Sequence, residues 1–195
     1  GGSRPNGLIK SGSRQRKGHA SHVRGRHGRC PVSGYDIHER LLSLLDSHGA
    51  RYQVMEHKPE GRSEEISRIR GNHPAQAMKA IVLSVRGGGK GKRAVMVVIP
   101  GNQRLDMKAL LSHVSAQKGR FATSEEATVL TGCVMGAIPP FSFRKDLTLI
   151  VDHSFKAYKE VTFNAGRLDR SLTLCFADYE QIVKPEFGHF TASGN

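Results

Sequence analysis

The sequence predicts an α+β fold, in which a single domain over roughly residues 35–185 surrounds a mixed β-sheet with helices. Two observations predict it. Short segments with helical spacing of apolar residues alternate with short β-branched runs, and no internal repeat is present. Hydrophobic residues make up 37% of the 195 positions, which is enough for one core. No run of 18 apolar residues occurs, so we expect no membrane-spanning segment and no membrane partner.

From the amino end, the pattern predicts a helix, a strand, a second helix and a β-hairpin, over 36–48, 52–57, 63–71, 79–86 and 93–100. The first helix carries Ile37 and Leu41 on one face, and Gly49 ends it. Gly71 is expected to end the second helix. The two hairpin strands are apolar and β-branched, and the glycine-rich segment 87–92 between them predicts a flexible basic turn.

Towards the carboxyl end, the pattern predicts two helices, three strands and a closing helix, over 106–114, 124–132, 147–151, 161–163, 172–175 and 178–183. Met107 and Leu110 stand at helical spacing in the first of these helices. Ser124 is expected to cap the next helix, and Gly132 to end it. Residues 186–195 are expected to form a frayed C-terminal tail.

The positive charge is concentrated at the amino end. Residues 1–34 carry eight Lys or Arg and no acidic residue, whereas the rest of the chain carries 22 basic and 17 acidic residues and therefore +5 of the total +13. The segment 1–34 lacks apolar periodicity, so we expect a disordered basic tail or leader. An incidental extension, a nucleic-acid-binding arm and an organellar targeting peptide remain open for it. The remaining excess favours a polyanionic partner such as RNA.

The cysteine pattern and several failed motif searches exclude function classes. Three widely spaced cysteines, Cys30, Cys133 and Cys175, form no CxxC motif, which favours a reduced, cytoplasmic setting. The sequence has no HExxH, no cluster with zinc spacing and no GxSxG. The stretch 87–93 fails as a phosphate loop because its spacing is one residue short and Arg93 replaces Ser or Thr. We therefore predict no metal and no other cofactor.

Two segments remain unexplained by these patterns. Lys79 stands at the start of an apolar strand, where its ammonium could face a pocket or extend to solvent. Gly132 and Gly136 frame a segment that continues into Pro139, Pro140 and Phe141. Its glycines permit close backbone approach to a ligand, and its exposed amides could hold a carbonyl or phosphate oxygen. The alternative is a helix stop followed by an ordinary proline turn.

Taken together with the segment 163–167, these features resemble the YbaK/EbsC superfamily, the family of the bacterial prolyl-tRNA synthetase editing domain and its free-standing relatives. The resemblance covers roughly residues 36–184. The stretch 60–79 looks closest to the ProXp-type branch, which acts on seryl- and threonyl-tRNA. The resemblance implies a YbaK-like fold and a trans-editing aminoacyl-tRNA deacylase, which hydrolyses the ester of a mischarged tRNA without a metal and with help from a ribose hydroxyl of the substrate.

The resemblance also implies two groups of site residues. The catalytic candidates are Lys79, Gly132 and Gly136. The substrate-binding candidates are Gln76, Ile138, Pro140, Phe141, Asn164 and Gly166. Asn164 stands where relatives carry a small residue, and it could bind a substrate hydroxyl or a water molecule. His57 is a further candidate near the entrance, and His153 fits a site role or a turn. Cys133 has no evident base partner and is not proposed as a nucleophile.

Small and apolar candidate walls favour a small amino acid, and the resemblance to the ProXp-type branch implies Ser or Thr, with Ala or Cys as alternatives. The basic residues Arg86, Lys90, Lys92 and Arg93 could contact the tRNA backbone or form a solvated hairpin tip. Besides aminoacyl-tRNA, an aminoacyl-tRNA synthetase or an elongation factor is a candidate partner, and the oligomeric state stays open. Two alternatives remain: a noncatalytic tRNA-binding or regulatory protein on the same fold, and an enzyme acting on another small ester or nucleotide.

Overall fold

The computed structural model describes residues 34–192, so all but the last residue of the predicted basic segment 1–34 lies outside the described residues. The α-helices are α1 (Gly34–Ser47), α2 (Ser63–Arg70), α3 (Met107–His113), α4 (Ser124–Thr131) and α5 (Phe176–Val183). The strands are β1 (Tyr52–Glu56), β2 (Met78–Arg86), β3 (Lys92–Pro100), β4 (Lys118–Phe121), β5 (Leu147–Asp152), β6 (Glu160–Arg167), β7 (Arg170–Cys175) and β8 (Glu186–Gly188). Short 3₁₀ turns cover Pro74–Gln76 and His153–Ala157. The predicted α+β fold is confirmed.

The strands form two sheets that meet at the start of β2. One is an antiparallel sheet in the order β1-β7-β6, and the other is a mixed sheet in the order β4-β2-β3-β5-β8. In the mixed sheet, β5 runs parallel to both β3 and β8. An isolated parallel bridge joins Ala77, just before β2, to Thr162 in β6. The first residues of β2 therefore lie beside the strand that carries Asn164.

Helix α1 packs on β6 because its apolar face meets the antiparallel sheet. Leu41 and Leu45 are fully buried in one hydrophobic cluster with Phe163. On the same helix, the ring Nδ1 of the buried His38 lies 2.7 Å from the Ala165 carbonyl oxygen. This contact ties the helix to the backbone of β6 next to Asn164.

The predicted C-terminal tail is wrong over the residues that the structure describes. Residues 186–188 form β8, and Phe190 is fully buried. The Phe190 amide donates to the carboxylate of the buried Asp152 at 2.8 Å, and its carbonyl accepts from the Asp106 amide at 2.7 Å. A three-residue strand has too little sequence pattern to be recognised, and a long-range contact with Asp152 cannot be read from the sequence.

Two smaller differences have local causes. Strand β4 was missed because it is four residues long, largely exposed and carries two cationic side chains. Helix α4 is capped by Thr123 rather than by Ser124. The Thr123 side chain accepts from the Glu126 amide while the Glu126 carboxylate accepts from the Thr123 amide, which is a complete capping box. Gly71 and Gly132 end their helices in the left-handed conformation, as predicted.

No helix within 34–192 is long and apolar enough to cross a membrane.

We expect Phe163→Ala to lower the free energy of unfolding by about 3–5 kcal/mol, because it removes a ring that is only 1% exposed. Val129→Ala is the control, because Val129 is 74% exposed and should change stability by less than about 0.5 kcal/mol. Urea unfolding measures both. Equal effects of the two substitutions would contradict the assigned core.

Candidate active site

A small cavity of about 50 Å³ opens where the two sheets meet. Its walls come from the loop before α2, from α2, from the start of β2, from the segment after α4 and from β6. The lining residues are Gly61, Ile66, Arg70, Ala77, Met78, Lys79, Ala80, Gly136, Ile138 and Asn164. Four of them, Lys79, Gly136, Ile138 and Asn164, were predicted as site residues. The structure therefore brings together residues from three distant parts of the chain.

The side chain of Lys79 is half-buried, and hydrogen bonds to the loop that follows β3 fix its position. Its Nζ donates to the carbonyl oxygens of Gln103 at 2.7 Å and Gly101 at 3.3 Å. Burial lowers the pKa of this ammonium, because removal from water disfavours the charged form. An ammonium has three N–H donors, so one remains for a ligand in the cavity. Lys79 is thus held as an oriented cation rather than extended into solvent.

The buried amide of Asn164 connects four segments around the cavity. Its Nδ2 donates to the carbonyl oxygens of Gly136 at 2.6 Å and Glu60 at 3.0 Å. Its Oδ1 accepts from the Arg70 guanidinium and lies 3.2 Å from Ser171 Oγ. Both amide donors and both acceptor positions are therefore occupied by protein groups. Asn164 therefore links the walls of the cavity, and its contact with a substrate hydroxyl stays a prediction.

Arg70 is the one charged lining residue among those described that was not predicted from the sequence. It is the last residue of α2 and is largely buried, and its Nε donates to Ser171 Oγ at 2.8 Å. Burial lowers its pKa to about 10, so the guanidinium remains charged at neutral pH. A Lys or Arg in the last turn is an ordinary feature of an exposed helix, and only the fold directs this one inwards.

Gly61 and Gly136 pack backbone against backbone at the edge of the cavity. A Cβ on Gly136 would lie 2.8 Å from Gly61 Cα, and Gly136 adopts a left-handed φ of 86°. Both observations require glycine at position 136. Within the described part of the chain, the Gly136 amide has no hydrogen-bond acceptor. That amide can therefore serve as the backbone donor that the glycine segment was predicted to supply.

Five predicted site residues do not line this cavity. Gly132 ends α4, and its amide donates to the Thr128 carbonyl at 2.8 Å. Gly166 is buried, and its amide donates to the Ala137 carbonyl at 2.9 Å, which ties the glycine segment to β6. The remaining three predicted residues are Gln76, Pro140 and Phe141.

Pro140 and Phe141 lie in the core. The Pro140 carbonyl accepts from the Tyr179 hydroxyl at 2.8 Å, and the Phe141 ring packs edge-on against Tyr179 with centroids 5.3 Å apart. Gln76 lies in a separate, open groove with Tyr158, and its side-chain oxygen accepts from the His73 amide at 3.2 Å. None of the three lines the small cavity in the described fold, and their part in substrate binding stays a prediction.

The structure also places the three further residues considered for the site, namely His57, His153 and Cys133. His57 Nε2 lies 2.6 Å from Ser171 Oγ, so His57 contacts the hydrogen-bond network behind the cavity rather than its entrance. His153 begins the 3₁₀ turn after β5, and its ring lies against the ring of His189. Cys133 is buried, which raises its thiol pKa to about 12. A neutral thiol is a poor nucleophile, in agreement with its exclusion from catalysis.

The basic hairpin lies at the opposite end of β2 from Lys79. Seven residues separate Lys79 from Arg86, which corresponds to roughly 23 Å along the strand. Arg86, Lys90 and Lys92 are exposed. Arg93 instead donates to the carbonyl oxygens of Gly87 at 3.0 Å and of Val114, so its guanidinium holds the hairpin against the loop after α3.

The other five lining residues that were not predicted are apolar or small, namely Gly61, Ile66, Ala77, Met78 and Ala80. Ala77, Met78 and Ala80 flank Lys79 in the sequence, and this proximity was a usable signal. Gly61 and Ile66 carried none, because a glycine in a loop and an isoleucine on a helix have many structural explanations.

The fold defines an α+β protein whose small cavity is lined by Arg70, Lys79 and the Gly136 backbone. Residues 57–182 match the model of the aminoacyl-tRNA editing domain family, and this match covers more than half of the chain. The chain therefore belongs to the aminoacyl-tRNA editing domain family.

Two relatives and one solved structure agree with this assignment. The chain is 41% identical over 160 residues to the multifunctional Ser/Thr-tRNA deacylase ProXp-y of Escherichia coli K12, covering 82% of this chain and 95% of the relative. It is 24% identical over 161 residues to the prolyl-tRNA editing protein ProX of Acetoanaerobium sticklandii, covering 80% and 96%. A crystal structure of a candidate trans-editing enzyme for prolyl-tRNA synthetase shares the fold, with a TM-score of 0.69, 23% identity and coverage of 80% and 97%.

The close approach of Gly61 and Gly136 predicts that an added Cβ costs more stability at one glycine than at the other. We expect Gly136→Ala to lower the free energy of unfolding by about 1–3 kcal/mol, because the left-handed φ and the backbone contact both oppose a Cβ. Gly61→Ala should cost clearly less, since its nearest neighbour is the flexible Leu168 side chain at 3.1 Å. Thermal unfolding measures both variants. A larger loss for Gly61→Ala would contradict the described packing.

Proposed function

We propose that this protein is a trans-editing aminoacyl-tRNA deacylase that hydrolyses the ester of mischarged tRNA carrying a small amino acid. Ser and Thr are the favoured amino acids, with Ala and Cys as alternatives. The single observation that carries the proposal is the cavity that joins Lys79, Gly136 and Asn164 in a chain that belongs to the editing family. The similarity to a Ser/Thr-tRNA deacylase supports this choice of amino acid.

The size and polarity of the cavity support a small substrate group. A volume of about 50 Å³ exceeds the roughly 10–15 Å³ that one water molecule requires, but it is far below the roughly 300 Å³ or more of a site for a drug-sized ligand. Ile66, Met78 and Ile138 supply its apolar walls. An apolar wall rejects an isostere that adds a hydroxyl only weakly, by about 100-fold. We therefore propose preference among small amino acids rather than strict selection of one.

The proposed reaction needs positioning more than covalent chemistry from the protein. A water oxygen attacks the ester carbonyl carbon, the bond from that carbon to the ribose oxygen breaks, and the ribose oxygen takes up a proton. A ribose hydroxyl of the terminal adenosine assists the water. The Gly136 amide can stabilise the developing oxyanion, because preorganised backbone donors act where charge develops. Lys79 holds the substrate next to it with its remaining N–H donor.

We also propose that the reaction is independent of a metal ion. Among the residues that the structure describes, no group of three His, Cys, Asp or Glu side chains could hold a metal.

The proposal also covers the partners of the protein and its cellular compartment. Aminoacyl-tRNA is the substrate, and an aminoacyl-tRNA synthetase or an elongation factor is the partner from which charged tRNA would arrive in the cytoplasm.

Deacylation of a panel of tRNAs charged with Ala, Ser, Thr, Cys or Pro tests the function. We expect fast release of one or two small amino acids, Ser and Thr first, and a loss of at least about 100-fold in kcat/KM for Lys79→Ala because an oriented charge is removed. Lys108→Ala, in an exposed position on α3, is the matched control and should retain full activity. Rates should be unchanged by EDTA.

Three outcomes would count against the proposal. No release from any tRNA, with tRNA still bound, favours the noncatalytic RNA-binding alternative. Full activity of Lys79→Ala removes Lys79 from the site. Inhibition by EDTA that zinc reverses contradicts metal independence. Circular dichroism of Lys79→Ala separates a catalytic loss from a folding defect.

The hairpin yields a separate prediction about tRNA binding. We expect simultaneous Arg86→Gln, Lys90→Gln and Lys92→Gln to weaken binding of uncharged tRNA and to reduce the slope of log K against log salt by about 0.7–0.9 per lost phosphate contact. The control replaces Lys108, Lys145 and Lys184, which are equally exposed, by Gln. Filter binding from low to moderate salt measures both. Identical slopes for both triple variants would make the hairpin a solvated tip.

A further inference from the structure

Among the side chains that the structure describes, two cations and no carboxylate line the cavity. Arg70 and Lys79 both line it, and each is at least half-buried. Within the side chains that the structure describes, neither forms an ion pair: Arg70 contacts the neutral Ser171 and Asn164, and Lys79 contacts two backbone carbonyls. The other arginine on α2 differs, since Arg68 is exposed and pairs with Glu65. An uncompensated pair of buried charges in one cavity is expensive to maintain and is typical of a binding site.

The hydrogen bonds of Arg70 leave one edge of its guanidinium open. Nε and Nη2 are directed at Ser171 and Asn164, so the edge formed by these two nitrogens is occupied. The end formed by Nη1 and the second hydrogen of Nη2 has no acceptor among the described residues. A planar fork with two parallel N–H donors matches the oxygens of a phosphate or a carboxylate. The bonds of Nε and Nη2 therefore fix the orientation of Arg70, while the N–H groups at its end form an unoccupied fork.

The chemistry of an aminoacyl-tRNA decides which anion this fork would meet. The ester carries no negative charge before water attacks, and the α-amino group of the amino acid is positive when protonated. Two fixed cations would repel that amino group. The nearest permanent anion in the substrate is the phosphodiester on the 5′ side of the terminal adenosine.

We propose that Arg70 is a substrate-binding residue whose open fork, together with Lys79, clamps the phosphodiester on the 5′ side of the terminal adenosine. This inference rests on the proposed deacylase function and deepens it. The clamp fixes the adenosine, and with it the ester, against the Gly136 amide. Asn164 and Ser171 fix the orientation of the Arg70 guanidinium. This role accounts for a buried amide with four protein contacts beside the cavity.

A pair of minimal substrates tests the clamp directly. One is the 3′-O-seryl ester of adenosine, and the other is the same ester of adenosine 5′-monophosphate, so the two differ only in the 5′ phosphate. We expect the wild type to prefer the phosphorylated ester by about 10- to 100-fold in kcat/KM, the contribution typical of charge-assisted hydrogen bonds. Arg70→Gln should reduce this preference, taken as the ratio of kcat/KM for the two esters in the same variant, at least about tenfold.

Two further variants separate binding from structure. Arg68→Gln removes an exposed cation two residues away on the same helix, and the preference should stay at its wild-type value. Arg70→Lys keeps the charge but loses the fork, so part of the preference should return. If Arg70→Gln does not fold, as judged by thermal unfolding, Arg70→Lys carries the test, and an undiminished preference in that variant overturns the fork.

The outcomes distinguish this inference from the function on which it rests. Equal loss of activity on both esters in Arg70→Gln, or no phosphate preference in the wild type, overturns the clamp and leaves the deacylase intact. If the wild type hydrolyses neither ester nor seryl-tRNA, the proposed function fails, and calorimetry then compares binding of adenosine 5′-monophosphate with that of adenosine. A phosphate preference that Arg70→Gln abolishes supports the anion site, and equal binding of the two overturns it.

Discussion

The amide of Asn164 holds the walls of the cavity together. It accepts from Arg70 at the end of α2, lies against Ser171 of β7, and donates to the backbone carbonyls of Glu60 and Gly136. A buried amide of this kind stabilises only when all its partners are present, because an unpaired buried donor or acceptor costs about 1–3 kcal/mol. The loop at residue 60, the helix and the glycine segment therefore keep one relative arrangement, and the cavity exists as a consequence.

The second constraint is electrostatic. Arg70 and Lys79 are withdrawn from water, and burial lowers the pKa of both groups. Neutral dipoles offset part of this cost: two carbonyl oxygens face Lys79, and two side-chain oxygens face Arg70. With a pKa of about 10, Arg70 thus remains charged at neutral pH in the absence of substrate. Such preorganisation suits a hydrolase whose substrate supplies the ester and the phosphate, because fixed charges need no rearrangement when the substrate binds.

Two parts of the site stood out in the sequence itself, and the resemblance to the editing family placed both in one site. Lys79 at the start of a strand and Gly136 in a glycine segment are unusual in their local context, and the structure places both in the cavity. Phe141 shows the opposite case. An aromatic residue after two prolines looked like a pocket wall, but its ring packs on Tyr179 in the core. Local pattern cannot tell the two sides of a loop apart, because the side that faces the core depends on distant partners.

The amino-acid sequence by itself determined the α+β class, the hairpin and most of the helix ends, and its resemblance to the editing family predicted that Lys79 and Gly136 share one site. Spacing of apolar residues and glycines with left-handed φ are local properties, and they act before the chain has folded. Only the tertiary structure decided that Arg70 faces inwards, that Asn164 is fully occupied by protein groups and that Phe190 is buried beside Asp152. Each depends on contacts between residues far apart in the chain, whose burial no sequence window contains.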